Sequence, residues 1–546
     1  MLSLMMDVPL LISGLVDYAA AAHGETEIVA RTVEGGIFRY DYRTIQSRAK
    51  RLARALEGLG IGRGDRVGSL AWNTHHHLEL FYGVSGMGAV LHTINPRLFA
   101  EQLVYIVNHA ADTYLCIDAA TLELAEALAP NLTSVKGYIY MTAEDRLPPS
   151  RLPNFLSYES LLAASSDEYA WPEFDERSAS TLCYTSGTTG NPKGVLYSHR
   201  SAILSALTYS AADTFGGYRQ GMVDTIMPIT PMFHGNAWQM PYTAPMNGYR
   251  FVLPGRNFEP AKLYELIEAE KVTLTAGVPT VWEMLVDHLE KTGQSFSTLR
   301  ATLMSGSKPS RALLEKLEGT YGISVSPIWG MTEAPATLKG SLKPGMEAAP
   351  LAERVEWKQK QGRLAYGTKF RIVDDEGKPL PHDGKAIGRL YVRGPWIAKN
   401  YYRLSESGQA DFDWLDTGDV ARIRPDGYVE IADRAKDVIK SGGEWISSQE
   451  LESLALEHPD VRQAAVIGIP HARWQERPLM LVTAKAGKII DPQSIRAHLI
   501  GKIASWWLPD AILPVDAIPL TSAGKIDKLA LRRQYANYQS STGDVS

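Results

Sequence analysis

Short apolar runs alternate with longer amphipathic stretches between about residue 65 and residue 330. The runs predict β-strands, at residues 65–71, 137–141, 180–185, 225–229, 272–276, 301–304 and 324–329. The stretch 259–271 predicts a helix, because Pro260 stands in its first turn and Leu263, Leu266 and Ile267 share one face. Strands that alternate with helices favour an α/β fold with mostly parallel sheets.

The pattern changes after about residue 362, where Gly, Pro and Asp punctuate short apolar segments. Residues 374–377 and 425–427 predict hairpin turns. A compact α/β segment follows residue 437 and ends near residue 538, so we place a domain boundary within 433–437. The polar stretch 338–360 predicts a long loop or a lone surface helix. The apolar start of the chain is interrupted by Asp7 and Asp17 and predicts a surface helix rather than a signal peptide.

Composition narrows the possible functions. A chain of 546 residues exceeds one compact core and predicts at least two domains. The net charge is −5 without a long basic run, which argues against nucleic-acid binding. Two cysteines exclude a disulfide framework and favour a reducing compartment. No uncharged apolar run is long enough to span a membrane, and we expect a cytoplasmic enzyme.

The segment 184–194, Tyr-Thr-Ser-Gly-Thr-Thr-Gly-Asn-Pro-Lys-Gly, follows a predicted strand. Its hydroxyls and glycines offer donors to an anion without a Cβ in the way, and Lys193 adds a cation. It differs from a P-loop of the Walker A type, because Lys193 is followed by Gly194 rather than by Ser or Thr. The segment therefore predicts a phosphate-binding loop of another type.

This loop resembles the signature loop of the adenylate-forming superfamily, which comprises acyl-CoA synthetases, adenylation domains of peptide synthetases and beetle luciferases. The resemblance covers nearly the whole chain, with further motifs at 329–333, 417–419, 433–437, 440–444 and 521–525. It is strongest toward bacterial medium- and long-chain fatty-acid–CoA ligases and methylmercaptopropionate–CoA ligases, with shared phrases at 92–98, 231–234 and 439–447.

The resemblance implies a large N-terminal domain (1–433) of layered, mostly parallel sheets with a small β-barrel-like subdomain. It also implies a hinge (434–437) and a small mobile α+β domain (438–546) that carries a catalytic lysine. Thr188 and Glu333 would hold Mg²⁺, and Lys525 would reach the α-phosphate and the carboxylate. The catalytic set that the resemblance implies is Lys525, Glu333, Thr188, Lys193 and His234.

Further residues acquire nucleotide- or CoA-binding roles from the same motifs. Trp329 would lie against adenine, where relatives more often have Tyr, and Asp419 would bind the ribose hydroxyls. The full set is Thr185, Ser186, Gly187, Thr188, Thr189, Gly190, Lys193, Gly306, Ser307, Pro327, Ile328, Trp329, Gly330, Met331, Thr332, Glu333, Asp419, Arg434, Lys436, Lys440, Gly442, Gly443, Trp445 and Lys525.

The acyl pocket is expected at His234, Gly235, Trp238, Gly306 and Ile328. Amino-acid-activating relatives tend to carry Asp at the position of His234, so no carboxylate awaits a substrate amine here. Trp238 matches the tryptophan that gates the acyl tunnel in long-chain relatives, although a core role is an alternative. Gly235 replaces a Val that is usual in fatty-acid ligases, and it would either widen the pocket or loosen the gate.

The predicted function is an AMP-forming acid–CoA ligase that uses ATP, Mg²⁺ and coenzyme A on a carboxylic acid and forms a homodimer. The acid is a medium- or long-chain fatty acid, or alternatively methylmercaptopropionate or an aryl or other small acid. A peptide-synthetase module, a silent nucleotide-binding sensor and a luciferase-like oxygenase remain as competitors. His75, His76 and His77 are not expected to converge on a metal, because consecutive helical residues point about 100° apart.

Overall fold

The computed structural model describes residues 4–142, 147–185, 191–211, 214, 223–340, 342–404, 412–442, 444–520, 526–536 and 538. Its strands, in chain order, are β1 (Glu27–Arg31), β2 (Ile37–Asp41), β3 (Arg66–Leu70), β4 (Val90–Thr93), β5 (Tyr114–Asp118), β6 (Gly137–Met141), β7 (Phe155–Ser157), β8 (Ala179–Tyr184), β9 (Gly194–Ser198), β10 (Thr225–Pro228), β11 (Arg250–Leu253), β12 (Leu274–Gly277), β13 (Ala301–Met304), β14 (Ser324–Pro327), β15 (Trp329–Met331), β16 (Ala334–Lys339), β17 (Gly362–Leu364), β18 (Lys369–Val373), β19 (Gly388–Arg393), β20 (Leu415–Ile423), β21 (Tyr428–Arg434), β22 (Ile439–Ser441), β23 (Glu444–Ile446), β24 (Val461–His471), β25 (Gln475–Ala484) and β26 (Ala511–Pro514).

The helices of the same residues are α1 (Ile12–Ala22), α2 (Tyr42–Gly58), α3 (His75–Gly86), α4 (Ala100–Ala110), α5 (Leu122–Leu128), α6 (Tyr158–Ala163), α7 (His199–Tyr209), α8 (Gly235–Trp238), α9 (Met240–Asn247), α10 (Pro260–Ala269), α11 (Pro279–Thr292), α12 (Arg311–Glu315), α13 (Leu351–Lys358), α14 (Ser448–Leu456), α15 (Pro492–Leu499) and α16 (Lys528–Gln534). None of these is both long and apolar enough to cross a membrane.

Two seven-stranded sheets carry the first part of the chain. Their strand orders are β7-β6-β5-β3-β4-β8-β9 and β14-β13-β12-β10-β11-β1-β2. Pairing is parallel except at one edge of each sheet, where β9 lies antiparallel to β8 and β2 to β1. Strands β5 and β6 are buried along their whole length, as expected for a parallel sheet covered on both faces. One apolar cluster includes Ile139 of the first sheet and Phe251 of the second, so the two sheets share a core.

The third sheet is antiparallel, in the order β15-β16-β17-β21-β20-β19-β18. Its core contains Trp329, Phe370, Leu390 and Ile423. A fourth, smaller sheet pairs β23-β22-β25-β24, with β26 parallel to β25. The prediction of a mixed α/β protein with parallel-rich sheets and a smaller C-terminal domain is confirmed.

The seven predicted strands of the α/β region are all present as β3, β6, β8, β10, β12, β13 and β14. The last is shorter than predicted, because the strand 324–329 breaks after Pro327 and Trp329 begins β15 in a different sheet. The predicted helix 259–271 is α10. In the polar stretch 338–360, the helix alternative is realised by α13. The boundary within 433–437 stays a prediction and falls at the end of β21.

The N-terminal helix lies at the surface, as expected from its sequence, and buries one face in the core. In α1, Ile12, Leu15, Val16 and Ala19 lie in the shared core against α2 and α3. The acidic residue within it, Asp17, contacts Gln46 at its Oδ1 atom. A single charge on the outer face of the helix is compatible with an apolar inner face.

The histidine cluster agrees with the expectation only in part, because two of its three side chains come together. The rings of His75 and His76 lie 3.8 Å apart between centroids, and their nitrogens come within 4.8 Å of Glu159. His77 bonds instead to Ser69 Oγ (3.0 Å) and to the Trp72 carbonyl (3.0 Å), so the three histidines do not converge on one point. Glu159 is already occupied, since its Oε1 accepts from His76 Nε2 (2.8 Å) and from Arg48 Nη2 (2.7 Å). These bonds form an ion-paired contact that joins helices α2, α3 and α6.

Candidate active site

The phosphate loop begins where β8 leaves the first sheet. Strands β8 and β9 pair up to Tyr184 and Gly194, and the amide of Thr185 donates to the carbonyl of Lys193 (2.9 Å). A side chain at Gly194 would meet Tyr402 Cβ at 3.1 Å, so the loop leaves a tightly packed stem. The predicted residues Ser186, Gly187, Thr188, Thr189 and Gly190 lie outside the described residues, and their roles stay predictions.

Lys193 and Glu333 meet through a tyrosine that the sequence did not single out. The Lys193 ammonium lies 4.8 Å from the ring centroid of Tyr401, within cation–π range. The Tyr401 hydroxyl donates to Glu333 Oε1 at 2.9 Å. The loop cation and the predicted metal ligand therefore face one site.

Glu333 is a buried carboxylate, with 6% of its surface exposed. Burial raises its pKa above the usual value, whereas the Tyr401 hydrogen bond and the charges of Arg434 and Lys193 lower it. Desolvation disfavours the anion, and the two cations restore part of its stability. The arrangement is suited to a carboxylate that receives a further cation.

A tight hairpin presents Glu333. Met331 pairs with Ala334, so Thr332 and Glu333 form the turn between β15 and β16. The Thr332 carbonyl accepts from the Tyr197 hydroxyl (2.5 Å), which ties the turn to β9. Space is tight at Gly330, because a Cβ there would lie 3.1 Å from the Ala334 carbonyl oxygen.

Asp419 joins the hairpin to β21. Its Oδ2 accepts from the indole nitrogen of Trp329 (2.9 Å), and its Oδ1 pairs with Arg434 Nε (2.9 Å). Asp419 is buried, and Trp329 is 9% exposed and packs edge-on against Phe370. The structure thus brings Trp329, Asp419 and Arg434 together. The charge of Arg434 also lowers the pKa of Glu333, which links this group to the buried carboxylate. Stacking of Trp329 on adenine stays a prediction.

The predicted adenine border lies at the ends of β13 and β14. Pro327 pairs with Met304, and the amide of Ile328 donates to the Met304 carbonyl (2.9 Å). The adjoining turn exposes Gly306 and Ser307, and Gly306 has φ +92°. These residues surround the strand ends where ligands bind in open α/β sheets.

Two of the predicted acyl residues, Ile328 and Trp238, lie in or against the shared core. Ile328 and Ala237 belong to one apolar cluster, against which the half-buried Trp238 packs. His234 is half-buried, and its ring lies 4.9 Å from that of Phe233. This packing is compatible with Trp238 as a gate or as a core residue, so the gate stays a prediction.

The predicted CoA face lies elsewhere. Lys440 Nζ pairs with Asp375 (2.9 Å) in the turn after β18, and its ammonium lies 5.5 Å from the Trp445 ring centroid. Trp445 lines a cleft of about 570 Å³ with residues of 374–387. Gly442 has φ +62° and approaches Trp474, and Lys436 is exposed. Gly443 and Lys525 lie outside the described residues, although Leu520 pairs with Ile526 on either side of 521–525.

Two family models cover most of the chain. Residues 16–402 match the AMP-binding enzyme family, and residues 450–525 match the AMP-binding enzyme C-terminal domain. The chain belongs to the AMP-binding enzyme family. Together with the full-length ligase relatives given next, this family confirms the predicted class, an AMP-forming acyl-CoA ligase. Enzymes of this type form an adenylate from ATP with Mg²⁺ before transfer to CoA.

Relatives extend over nearly the full length of this AMP-binding enzyme. It is 43% identical to a 3-methylmercaptopropionyl-CoA ligase of Ruegeria lacuscaerulensis over 98% of this chain and 99% of the relative. It is 41% identical to a medium-chain-fatty-acid–CoA ligase of Ectopseudomonas oleovorans (98% of each chain) and 43% identical to a long-chain-fatty-acid–CoA ligase of Thermus thermophilus (98% and 97%). The fold resembles that of an anthranilate CoA ligase solved with anthranoyl-AMP, with TM-score 0.83, 24% identity and coverage of 97% and 98%.

Three contributors were missed by sequence reasoning: Tyr401, Tyr197 and Asp375. Each contacts a motif residue from a distant part of the chain, and none lies in a motif of its own. A single Tyr or Asp in a strand, turn or loop does not indicate which distant residue it contacts, so only the tertiary contacts reveal these roles.

Proposed function

We propose that this protein is an ATP-dependent acid–CoA ligase. A carboxylate and ATP give an acyl-adenylate and pyrophosphate, and CoA then gives the acyl-CoA and AMP. The observation that carries the proposal is the convergence of Lys193, Glu333 and Arg434 beside the Trp329–Asp419 pair. For the acid, we propose a medium- or long-chain fatty acid or a related carboxylic acid such as methylmercaptopropionate, in line with the activities named for its relatives.

The first half-reaction requires a carboxylate to approach a polyphosphate, so repulsion between anions opposes it. Lys193 and Arg434 place two cations near Glu333, as the pKa influences on that carboxylate indicate. Positioned charges of this kind stabilise charge that develops in the transition state. We propose that Lys193 binds phosphate and that the Asp419–Arg434 pair holds the ribose end of the nucleotide.

Glu333 is also suited to bind the expected Mg²⁺. Mg²⁺ prefers oxygen ligands, and it is usually held by one or two carboxylates together with substrate phosphates. Glu333 is buried, bonded to Tyr401 and close to the phosphate loop, so we propose Glu333 and Thr188 as its ligands. When bound, the ion would neutralise phosphate charge.

For the second half-reaction, we propose that the unit after the hinge 434–437 rotates. Lys525 would leave the nucleotide, and the face from Lys440 to Trp445 would admit CoA. Rotation of a domain separates two chemistries and excludes water from each. We also propose that the enzyme acts in the cytoplasm as a homodimer, which light scattering on purified protein would test.

The proposal is tested with purified enzyme, ATP, Mg²⁺ and a panel of short, medium, long, aromatic and sulfur-containing acids. We expect CoA-dependent release of AMP with an equal amount of thioester for at least one acid, and little of either from Glu333→Gln. Tight nucleotide binding without AMP release for any acid would favour the sensor. Light or oxygen consumption without a CoA requirement would favour the oxygenase.

A further inference from the structure

Five successive residues adopt the left-handed backbone region at the expected acyl pocket. The φ angles of Gly235, Asn236, Ala237, Trp238 and Gln239 lie between +47° and +66°. An L-residue in this region brings its Cβ close to a carbonyl oxygen, and only glycine escapes the penalty. Strain of this type persists where the surrounding structure enforces it, and it clusters at ligand sites.

Asn236 fixes the turn to the strand that leads to the phosphate loop. Its side-chain amide donates to Thr181 Oγ1 (2.9 Å), and the Cys183 thiol donates to its Oδ1 (3.4 Å). The turn is closed by backbone bonds from Ala237 to His234 and from Gln239 to Asn236, each 3.0 Å long. The left-handed conformation is therefore held by the side-chain bonds of Asn236 to β8 and by the backbone bonds within the turn.

Gln239 is the unusual member of the turn. It is fully buried, yet neither Nε2 nor Oε1 has a hydrogen-bond partner among the described residues. Its neighbours Ala237 and Met240 belong to the apolar cluster that includes Ile328. A buried amide without a partner costs free energy, and such a group in a folded protein calls for a ligand or another explanation.

There is open space next to the turn. A Cβ added to Gly235 would meet no atom within 4 Å, although the residue is half-buried. Gly235 and Trp238 are the residues expected to line the tail of the acid. The unpartnered amide, the strained turn and the open space beside Gly235 thus occur within five residues of the chain, at the expected acyl pocket.

We propose that Gln239 is a specificity-determining residue whose amide hydrogen-bonds a heteroatom in the tail of the acid. This inference rests on the proposed ligase function and narrows its substrate to acids with an ether, thioether or hydroxyl group in the tail. A plain alkyl chain would leave the amide unpartnered in the complex. A site built to hydrogen-bond a substrate group discriminates against an analogue that lacks it.

The test compares kcat/KM for acids with one ether, thioether or hydroxyl group and for alkyl acids of the same length. We expect the wild type to favour at least one heteroatom acid, and Gln239→Leu to lower that ratio by about 5- to 10-fold, as the loss of one hydrogen bond predicts. Gln239→Asn keeps an amide in a residue that tolerates the left-handed region and should retain part of the preference. Gln239→Gly relieves the strain without an amide and should behave like the Leu variant.

Equal ratios in the wild type and in Gln239→Leu would overturn the inference, whether or not the variant is more stable. That result would assign the amide to the core or to a bound water. If no acid in the panel supports CoA-dependent AMP release, the proposed function itself fails. Release with alkyl and heteroatom acids at the same efficiency leaves the ligase standing and removes only the role of Gln239.

Discussion

At the residue scale, the site depends on how a buried carboxylate stays ionised. Glu333 loses hydration, and Tyr401, Lys193 and Arg434 partly compensate. The motif identified Glu333 from sequence because it stands at a fixed distance from Trp329. The compensating residue, Tyr401, could not be predicted, because it lies 68 residues from Glu333 in the sequence and meets it only through the packing of the folded chain.

Tyr401→Phe removes the hydroxyl that stabilises the Glu333 carboxylate. We expect the pKa of Glu333 to rise further, so that the acidic limb of the pH profile for adenylate formation moves to higher pH. Activity near neutral pH should fall by roughly 10- to 150-fold, in line with the loss of a hydrogen bond to a charged group. Tyr402→Phe is the matched control, because Tyr402 contacts the Ala110 carbonyl rather than Glu333. Identical pH profiles for the two variants would contradict this role of Tyr401.

Cys183 offers a second residue-scale prediction. The thiol is buried on β8 and bonded to Thr93 and Asn236, and burial raises its pKa to about 11. We expect native protein to react with a thiol reagent far more slowly than free cysteine, because the thiolate is scarce and inaccessible. Both cysteines of the chain should react after unfolding in denaturant. Rapid modification of Cys183 in native protein would show that β8 is misplaced.

At the element scale, periodicity predicted the strands of the two parallel-rich sheets because buried strands read as apolar runs. Periodicity failed where the limits of an element depend on the strands or helices that it packs against. Residues 324–329 form one apolar run, but the chain changes sheets between Pro327 and Trp329. Helix α1 lies at the surface as expected, but its packing against α2 and α3 could not be predicted from the sequence.

The hairpin β15–β16 places Glu333, and its geometry depends on Gly330. We expect Gly330→Ala to impair adenylate formation about 10-fold or more and to lower the melting temperature, since backbone atoms 3.1 and 3.3 Å from the new Cβ must move. Gly14→Ala is the control, because no atom lies within 4 Å of its added Cβ and alanine favours helix α1. Unchanged activity in Gly330→Ala would mean that the hairpin does not hold the catalytic geometry.

At the scale of the whole molecule, the C-terminal unit presents its Lys440–Trp445 face to the turn 374–377 through an exposed ion pair. The motifs predicted the order of the two domains along the chain. They did not predict the contact between Lys440 and Asp375, because an ion pair between exposed residues leaves no pattern in the sequence. Exposed pairs contribute about 0.2–1 kcal/mol, enough to bias the proposed rotation of this unit without preventing it.

Asp375→Asn should therefore release the face that we expect to admit CoA. Thioester formation from preformed acyl-adenylate should accelerate by up to about 5-fold where rotation limits the rate, while adenylate formation should change little. Glu376→Gln removes a charge from the same turn, where Glu376 pairs with Lys378, and serves as the control. A slower thioester step in Asp375→Asn alone would show that the pair supports the second half-reaction instead.

The most direct test of the two-step account is rapid-mixing measurement of each half-reaction in Lys525→Ala. We predict that acyl-adenylate formation falls by about 10²–10³-fold or more, as expected for loss of a positioned stabilising group. Thioester formation from preformed acyl-adenylate and CoA should stay near the wild-type rate, because the rotated domain has carried Lys525 away. Lys436→Pro, at the proposed hinge, should show the reverse pattern. Equal slowing of both steps in Lys525→Ala would contradict the account.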